Sequence, residues 1–186
     1  MVDSSRRPVP VPIGQDTLNF KNDPEIMGKL EAGGKYLSLY LLTCSESLVY
    51  STKVLKFNRF GFKQERYLLL TTSRLANIKK KEFQRTIKIN TIRALTRSTV
   101  ENDFDFIVHV KDEYDYRFIC EDREKLFVQI KAVYFTKMNK NLPIYDVGDG
   151  INKWTTSKKD ARVNNEKTPP ESYRNFNEDI YEPIVT

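Results

Sequence analysis

The chain has 186 residues and a mass of 21.8 kDa, enough for one domain of ordinary size and too little for two large ones with a linker. Charged residues are 30 % and mean hydropathy is -0.56, yet 39 % hydrophobic and 12 % aromatic residues supply a real core, which excludes a wholly disordered chain. The net charge of +6 is uneven: residues 51–100 hold thirteen Lys and Arg against two Glu, while 101–150 hold seven against eleven acids.

Residues 1–23 include RRPVPVPIG and read as extended, polyproline-like chain. Asp23-Pro24 predicts a short helix, with Asp23 as N-cap and Pro24 at the first position, ending near Gly33-Gly34. KYLSLYLLT (35–43) is apolar enough to bury, and periodicity does not choose between strand and helix. From residue 49, seven short segments rich in Val, Ile, Thr, Tyr and Phe are divided by turn residues: VYSTKVLKF, ERYLLLTT, LANIKK, RTIKI, IRALTR, FDFIVHV and YRFIC. Such a series predicts an antiparallel meander. Alternation places Phe104, Phe106, Val108 and Val110 on one face and Asp105, Ile107 and His109 on the other. The period then changes: acids at 121, 122 and 124 precede Leu126, Phe127, Ile130, Val133 and Tyr134, predicting an amphipathic helix over about 121–137 that covers one end of the sheet. Beyond Lys140 the chain is polar and reads as an extended tail. The expected domains are therefore a 1–33 tail with a short helix, a folded 34–144, and a 145–186 tail.

No constellation for catalysis, metal or cofactor binding emerges. Cys44 and Cys120 are too few for a zinc site and read as packing thiols, and His109, the single histidine, reads as a strand residue without ligand partners. The Gly-Asp-Gly at 148–150 lacks the lysine and the strand-loop-helix setting of a phosphate loop. No apolar run approaches the roughly 18 residues needed to span a bilayer, and MVDSSRRPVPVP has no signal-like stretch, so an intracellular protein of cytoplasm or cytoskeleton is expected, with the cilium as one setting.

The basic segment instead points to an anionic partner. Lys56, Arg59, Lys63 and Arg66 flank one turn, and Lys79, Lys80 and Lys81 sit at another, which a meander brings to the same open end. Nucleic acid is disfavoured, because the sequence shows no clear recognition face on which aromatic residues interleave with these cations.

Seven strands and one closing helix outline a pleckstrin-homology-like barrel, mainly β with one capping helix and extended tails. Within that superfamily GKYLSLY (34–40), VYSTKVLKFNRFGFKQERYLLLTT (49–72), INTIRALTRSTVENDFDFIVHV (89–110) and YDYRFICEDREKLFVQIKAVYF (114–135) resemble the tail-homology domain of class I myosins, here as a stand-alone module without a motor. The resemblance implies a non-catalytic module that binds anionic phospholipid through the loop between the first two strands, Asn58 to Glu65. Lys56, Lys63 and Arg66 match the family's basic positions, and Glu65 interrupts the run.

Two functions are expected from this reading. In the first, the protein is a docking subunit of a multi-protein cytoskeletal assembly, its basic face set on tubulin in a microtubule or ciliary axoneme. Its tails would clamp neighbours through Val9, Val11, Ile13, Leu18, Phe20, Trp154, Tyr173, Phe176, Ile180 and Tyr181. In the second, it is a peripheral membrane adaptor that recognises anionic phospholipids or phosphoinositides.

Overall fold

The computed structural model describes residues 16–31 and 46–182. KYLSLYLLT, Cys44, Gly33-Gly34 and the anchors Val9, Val11 and Ile13 lie outside them.

The predicted meander forms β1 (Leu48–Phe57), β2 (Lys63–Thr71), β3 (Arg74–Lys79), β4 (Glu82–Lys88), β5 (Ile92–Ser98), β6 (Asp105–Val110) and β7 (Tyr116–Ile119). An eighth strand joins them. β8 (Ile144–Val147) pairs parallel with β5, giving one sheet in the order β4-β3-β2-β1-β7-β6-β5-β8 that curls around the core without closing. A four-residue strand carries too short an alternation to stand out in sequence, and its pairing depends on a return of the chain through a helix.

That helix, α2 (Arg123–Met138), caps the sheet as predicted. Leu126, Phe127, Ile130, Val133 and Tyr134 are buried in one cluster with Tyr50, Leu68, Leu70, Ile89, Phe106 and Phe118. The Arg123 guanidinium fastens its N-terminus by donating to the carbonyls of Ser98, Asp103 and Asp105 at 3.0, 3.1 and 3.0 Å. Part of the outward face of α2 is covered as well: Lys131 is buried and ion-paired with Glu178, and Phe135 packs on Tyr181 with ring centroids 4.8 Å apart.

Both described flanks therefore lie on the sheet, where the sequence reading expects extended tails. α1 (Pro24–Glu31) starts as predicted, with Asp23 Oδ1 accepting from the Glu25 and Ile26 N–H groups at 3.0 and 3.3 Å. It buries Ile26 and Leu30 on Leu69, Ala76 and Ile78, the outer face of β2 and β3. On the other side, Val147 of β8 and a 3-10 turn at Ile151–Trp154 cover β6, and α3 (Lys158–Arg162) follows them. Ile107 packs with Val147, Ile151 and Trp154, and Asp105, Ile107 and His109, on the face opposite Phe106, Val108 and Val110, are buried too. β6 is covered on both faces, and alternation marks the faces without saying which of them is wet. Phe104, just before β6, remains 38 % exposed.

Candidate functional site: the cationic mouth of the sheet

In β1 and β2 every second residue faces the core, and the two rows do not end with the apolar residues. Val54 and Leu68 belong to the core cluster, and Lys56 and Arg66 continue their rows toward the end away from α2. Arg85 does the same in β4, two residues before buried Ile87. A core-facing row that turns from aliphatic to cationic makes a mouth.

Aromatic rings from the β6–β7 turn and β7 complete it. The Lys56 ammonium lies 5.1 Å from the Tyr116 ring centroid, and the Arg85 guanidinium lies 4.1 Å from that of Tyr114 and 5.3 Å from that of Tyr116. Lys158 of α3 stands 4.9 Å from Tyr114 on this rim. Burial, with Arg66, Arg85 and Lys158 close by, pulls the Lys56 ammonium below its usual range even though Tyr114 opposes the shift. Burial alone would raise the Tyr114 phenol, but Arg85 and Lys158 bring it down. An open cavity of about 280 Å³ lies beside these groups, lined by Arg85, Tyr114, Lys158 and Arg162 with Asp112 and Glu113. Glu113 pairs with Arg85.

Arg66 is 8 % exposed. Its terminal nitrogens donate to the Glu65 carbonyl at 2.6 Å and Gln64 Oε1 at 2.7 Å, while its Nε makes no hydrogen bond. Asn77, opposite core-facing Leu68, is 3 % exposed and its amide makes none at either end. Buried donors left in this state are costly, by about 1–3 kcal/mol each, a cost that the acceptor oxygens of an anion would relieve. Glu65 does not oppose one: it points to the other face of β2, where it pairs with Lys53 at 2.8 Å.

The remaining predicted residues are placed differently. Arg59 and Lys63 are exposed on the β1–β2 hairpin, Arg59 being 4.5 Å from the Phe60 ring. Lys79 and Lys80 are exposed at the β3–β4 turn, which the antiparallel order brings to the same end of the sheet. Lys81 there is engaged by Asp23 at 2.8 Å and by Glu25 at 3.6 Å, so its charge is met within the chain. Of the expected partner-binding anchors, Phe20 packs edge-on against Tyr67 at 5.6 Å, Trp154 sits beside Ile151, and Tyr181 stacks on Phe135. Tyr173 and Phe176 keep open faces, 41 % and 60 % exposed. Sequence reasoning missed Arg85, Tyr114, Tyr116 and Lys158. The alternation Arg85–Ile87 within β4 carried a signal for the first, whereas Lys158 arrives by the fold of the C-terminal segment.

His109 is not a lone strand histidine. Its Nδ1 lies 2.8 Å from Asp115 Oδ2 and its Nε2 2.7 Å from Thr96 Oγ1. A hydroxyl, an imidazole and a carboxylate in that order suggest a nucleophilic triad, but Thr96 and His109 are completely buried, so no substrate reaches them. The same Asp115 accepts from the Val110 and Thr156 N–H groups at 3.0 and 2.9 Å, which makes the network a clasp between β5, β6 and the C-terminal segment. Among the described residues no cluster of ligating side chains suits a metal, and no helix is long and apolar enough to cross a membrane.

Comparison with known proteins adds three results. No curated protein matches the chain. Solved structures that resemble it include the linker-DH/PH domains of p115-RhoGEF (13 % identity, 50 % of this chain and 30 % of that one, TM-score 0.42). They also include the PH domain of human oxysterol-binding protein-related protein 11 (13 %, 50 % and 81 %, 0.37) and a pleckstrin homology domain (17 %, 47 % and 86 %, 0.38). Residues 15–182 match the family described as "Unconventional myosin tail, actin- and lipid-binding", so sheet, capping helix and both flanking segments together belong to that family of myosin tail-homology domains.

Proposed function

We propose that the chain is a non-catalytic docking module that binds the phosphorylated headgroup of an anionic phospholipid at the cationic mouth. Lys56, Arg66 and Arg85 supply the charge and Lys158 the rim. The observation that carries this reading is the buried Arg66 guanidinium with an unpartnered Nε beside Lys56, whose charged form burial and neighbouring cations disfavour. A phosphate in the mouth relieves both at once through charge-assisted hydrogen bonds. Basic groups near an anionic membrane contribute about 1 kcal/mol each. Lys56→Gln and Arg85→Gln are therefore each expected to weaken binding to phosphoinositide vesicles roughly fivefold. Binding should also fade as salt rises. Co-sedimentation with anionic and with neutral vesicles checks both, and equal pelleting with the two kinds would refute the reading.

The cytoskeletal reading keeps a narrower place. Tyr173, Phe176 and Ile180 of the C-terminal segment are open to a protein partner, Ile180 being 57 % exposed. The family description names actin, which makes filamentous actin the partner to try first. No observation favours tubulin or an axoneme, and the multi-protein assembly expected from extended tails loses its basis where those tails are packed on the sheet.

A further inference from the structure

The last described segment is held by directed bonds and buries little. No residue from 171 to 182 is buried. The floor beneath it is the reverse: on α2 Lys131 and Phe135 are only 5 % and 6 % exposed. Both hydrogen bonds of the Lys131 ammonium go to Glu178, one to a carboxylate oxygen and one to the carbonyl at 3.4 Å. The other Glu178 oxygen accepts from Arg97 of β5 at 2.8 Å, and Asp146 and Glu124 hold Arg97 from its remaining sides. Three residues on, Tyr181 lays its ring on Phe135, and a single side chain takes up its backbone. Asn141 Nδ2 donates to the Tyr181 carbonyl at 2.7 Å, and Asn141 Oδ1 accepts from the Tyr181 N–H at 3.1 Å. Upstream, the Asn175 N–H donates to the Ile144 carbonyl at 2.8 Å on the outer edge of β8. A side-chain amide bonded to both backbone groups of one residue, two cations for one carboxylate and an apolar shelf for a ring are means of reading an extended peptide.

We infer that Arg97, Lys131, Phe135 and Asn141 form a docking groove for an extended acidic segment of a partner protein with the pattern Glu-x-x-Tyr, and that residues 178–181 fill it in cis as an exchangeable strap. A segment with so little burial opens locally while the sheet stays folded. Each opening strands the Lys131 ammonium, which no other described carboxylate meets, and uncovers Phe135. The groove then demands the chemistry it has just lost, a carboxylate followed by an aromatic ring on an extended backbone. The mouth lies at the end of the sheet away from α2, so the inference does not rest on the headgroup reading.

The test uses the full chain and a fluorescein-labelled peptide of its residues 174–182, read by fluorescence anisotropy. The tethered strap competes at a high effective concentration, so the double variant Glu178→Gln/Tyr181→Ala should bind the peptide at least about tenfold more tightly than the parent does. Adding Lys131→Met to that variant should weaken the peptide about tenfold, and alanine in place of the peptide's first glutamate should do the same. In the parent, excess peptide should speed hydrogen exchange at the Tyr181 N–H and leave the N–H groups of β6 unchanged. A folded double variant that ignores the peptide refutes the groove, and so does peptide binding that Lys131→Met leaves untouched. A double variant without a cooperative unfolding transition refutes it too, because the strap then belongs to the core. A parent that runs as a dimer and returns to monomer with the peptide assigns the groove to a second copy and overturns the partner reading. Peptide binding in a chain that ignores anionic vesicles supports the groove and refutes the headgroup reading alone.

Discussion

Ile130→Asp is expected to leave the chain without a cooperative unfolding transition. Ile130 is completely buried on the face of α2 that meets the core, among residues of β1, β2, β6 and β7. Removing its branched side chain sacrifices about 2–5 kcal/mol of packing. A carboxylate at that depth without a partner adds a penalty of several kcal/mol. Together these match the roughly 5–15 kcal/mol that holds a whole domain folded. Ile130→Val, which keeps the shape and omits one methylene, should cost only about 1 kcal/mol. Urea unfolding followed by circular dichroism separates the two. A folded, cooperative Ile130→Asp chain would show that α2 does not cap the sheet.

The second large effect is expected at the Asp115 clasp. Asp115→Ala strips acceptors from the His109 Nδ1–H and from the N–H groups of Val110 and Thr156, all three in the interior. At about 1–3 kcal/mol for each orphaned donor, the three together cost about 3–9 kcal/mol. The damage should concentrate where the clasp acts, so limited proteolysis should cut within residues 148–170 before the sheet. His109 gives this region a pH dependence. Burial holds its imidazole below the ordinary value of 6.5, outweighing the attraction of Asp115 and of Glu166 and acting with the repulsion of Arg93. The folded chain therefore keeps His109 neutral, with Nδ1–H donating to the carboxylate and Nε2 accepting from the Thr96 hydroxyl. As pH falls below 6.5 the unfolded chain takes up a proton that the folded one refuses, and stability drops. The urea midpoint of the parent should thus be lower at acidic pH than at neutral pH, and His109→Gln should flatten the part of that slope lying just below 6.5.

The elements whose signals are local can be read from the chain alone. Seven strands announced themselves by β-rich runs between turn residues, α1 by Asp23-Pro24, and α2 by a change of period. The basic residues of the mouth were visible for the same reason, since Lys56 and Arg66 lie in continuous β segments next to a turn. Their orientation was not. Whether Glu65 faces an anion or Lys53 is a matter of strand parity, fixed once Val54 and Leu68 are known to point inward. Everything that depends on residues distant in the chain is set by the packing of segments against one another. β8 exists because β5 offers an edge. The outer row of β6 is dry because the C-terminal segment lies over it, His109 finds its partners across a turn and a neighbouring strand, and Lys158 reaches the mouth only after that segment has folded back. Local propensity and periodicity report the backbone and its faces. Which face is covered, and which charges meet, are settled by packing between segments whose contact leaves no periodic trace in either one.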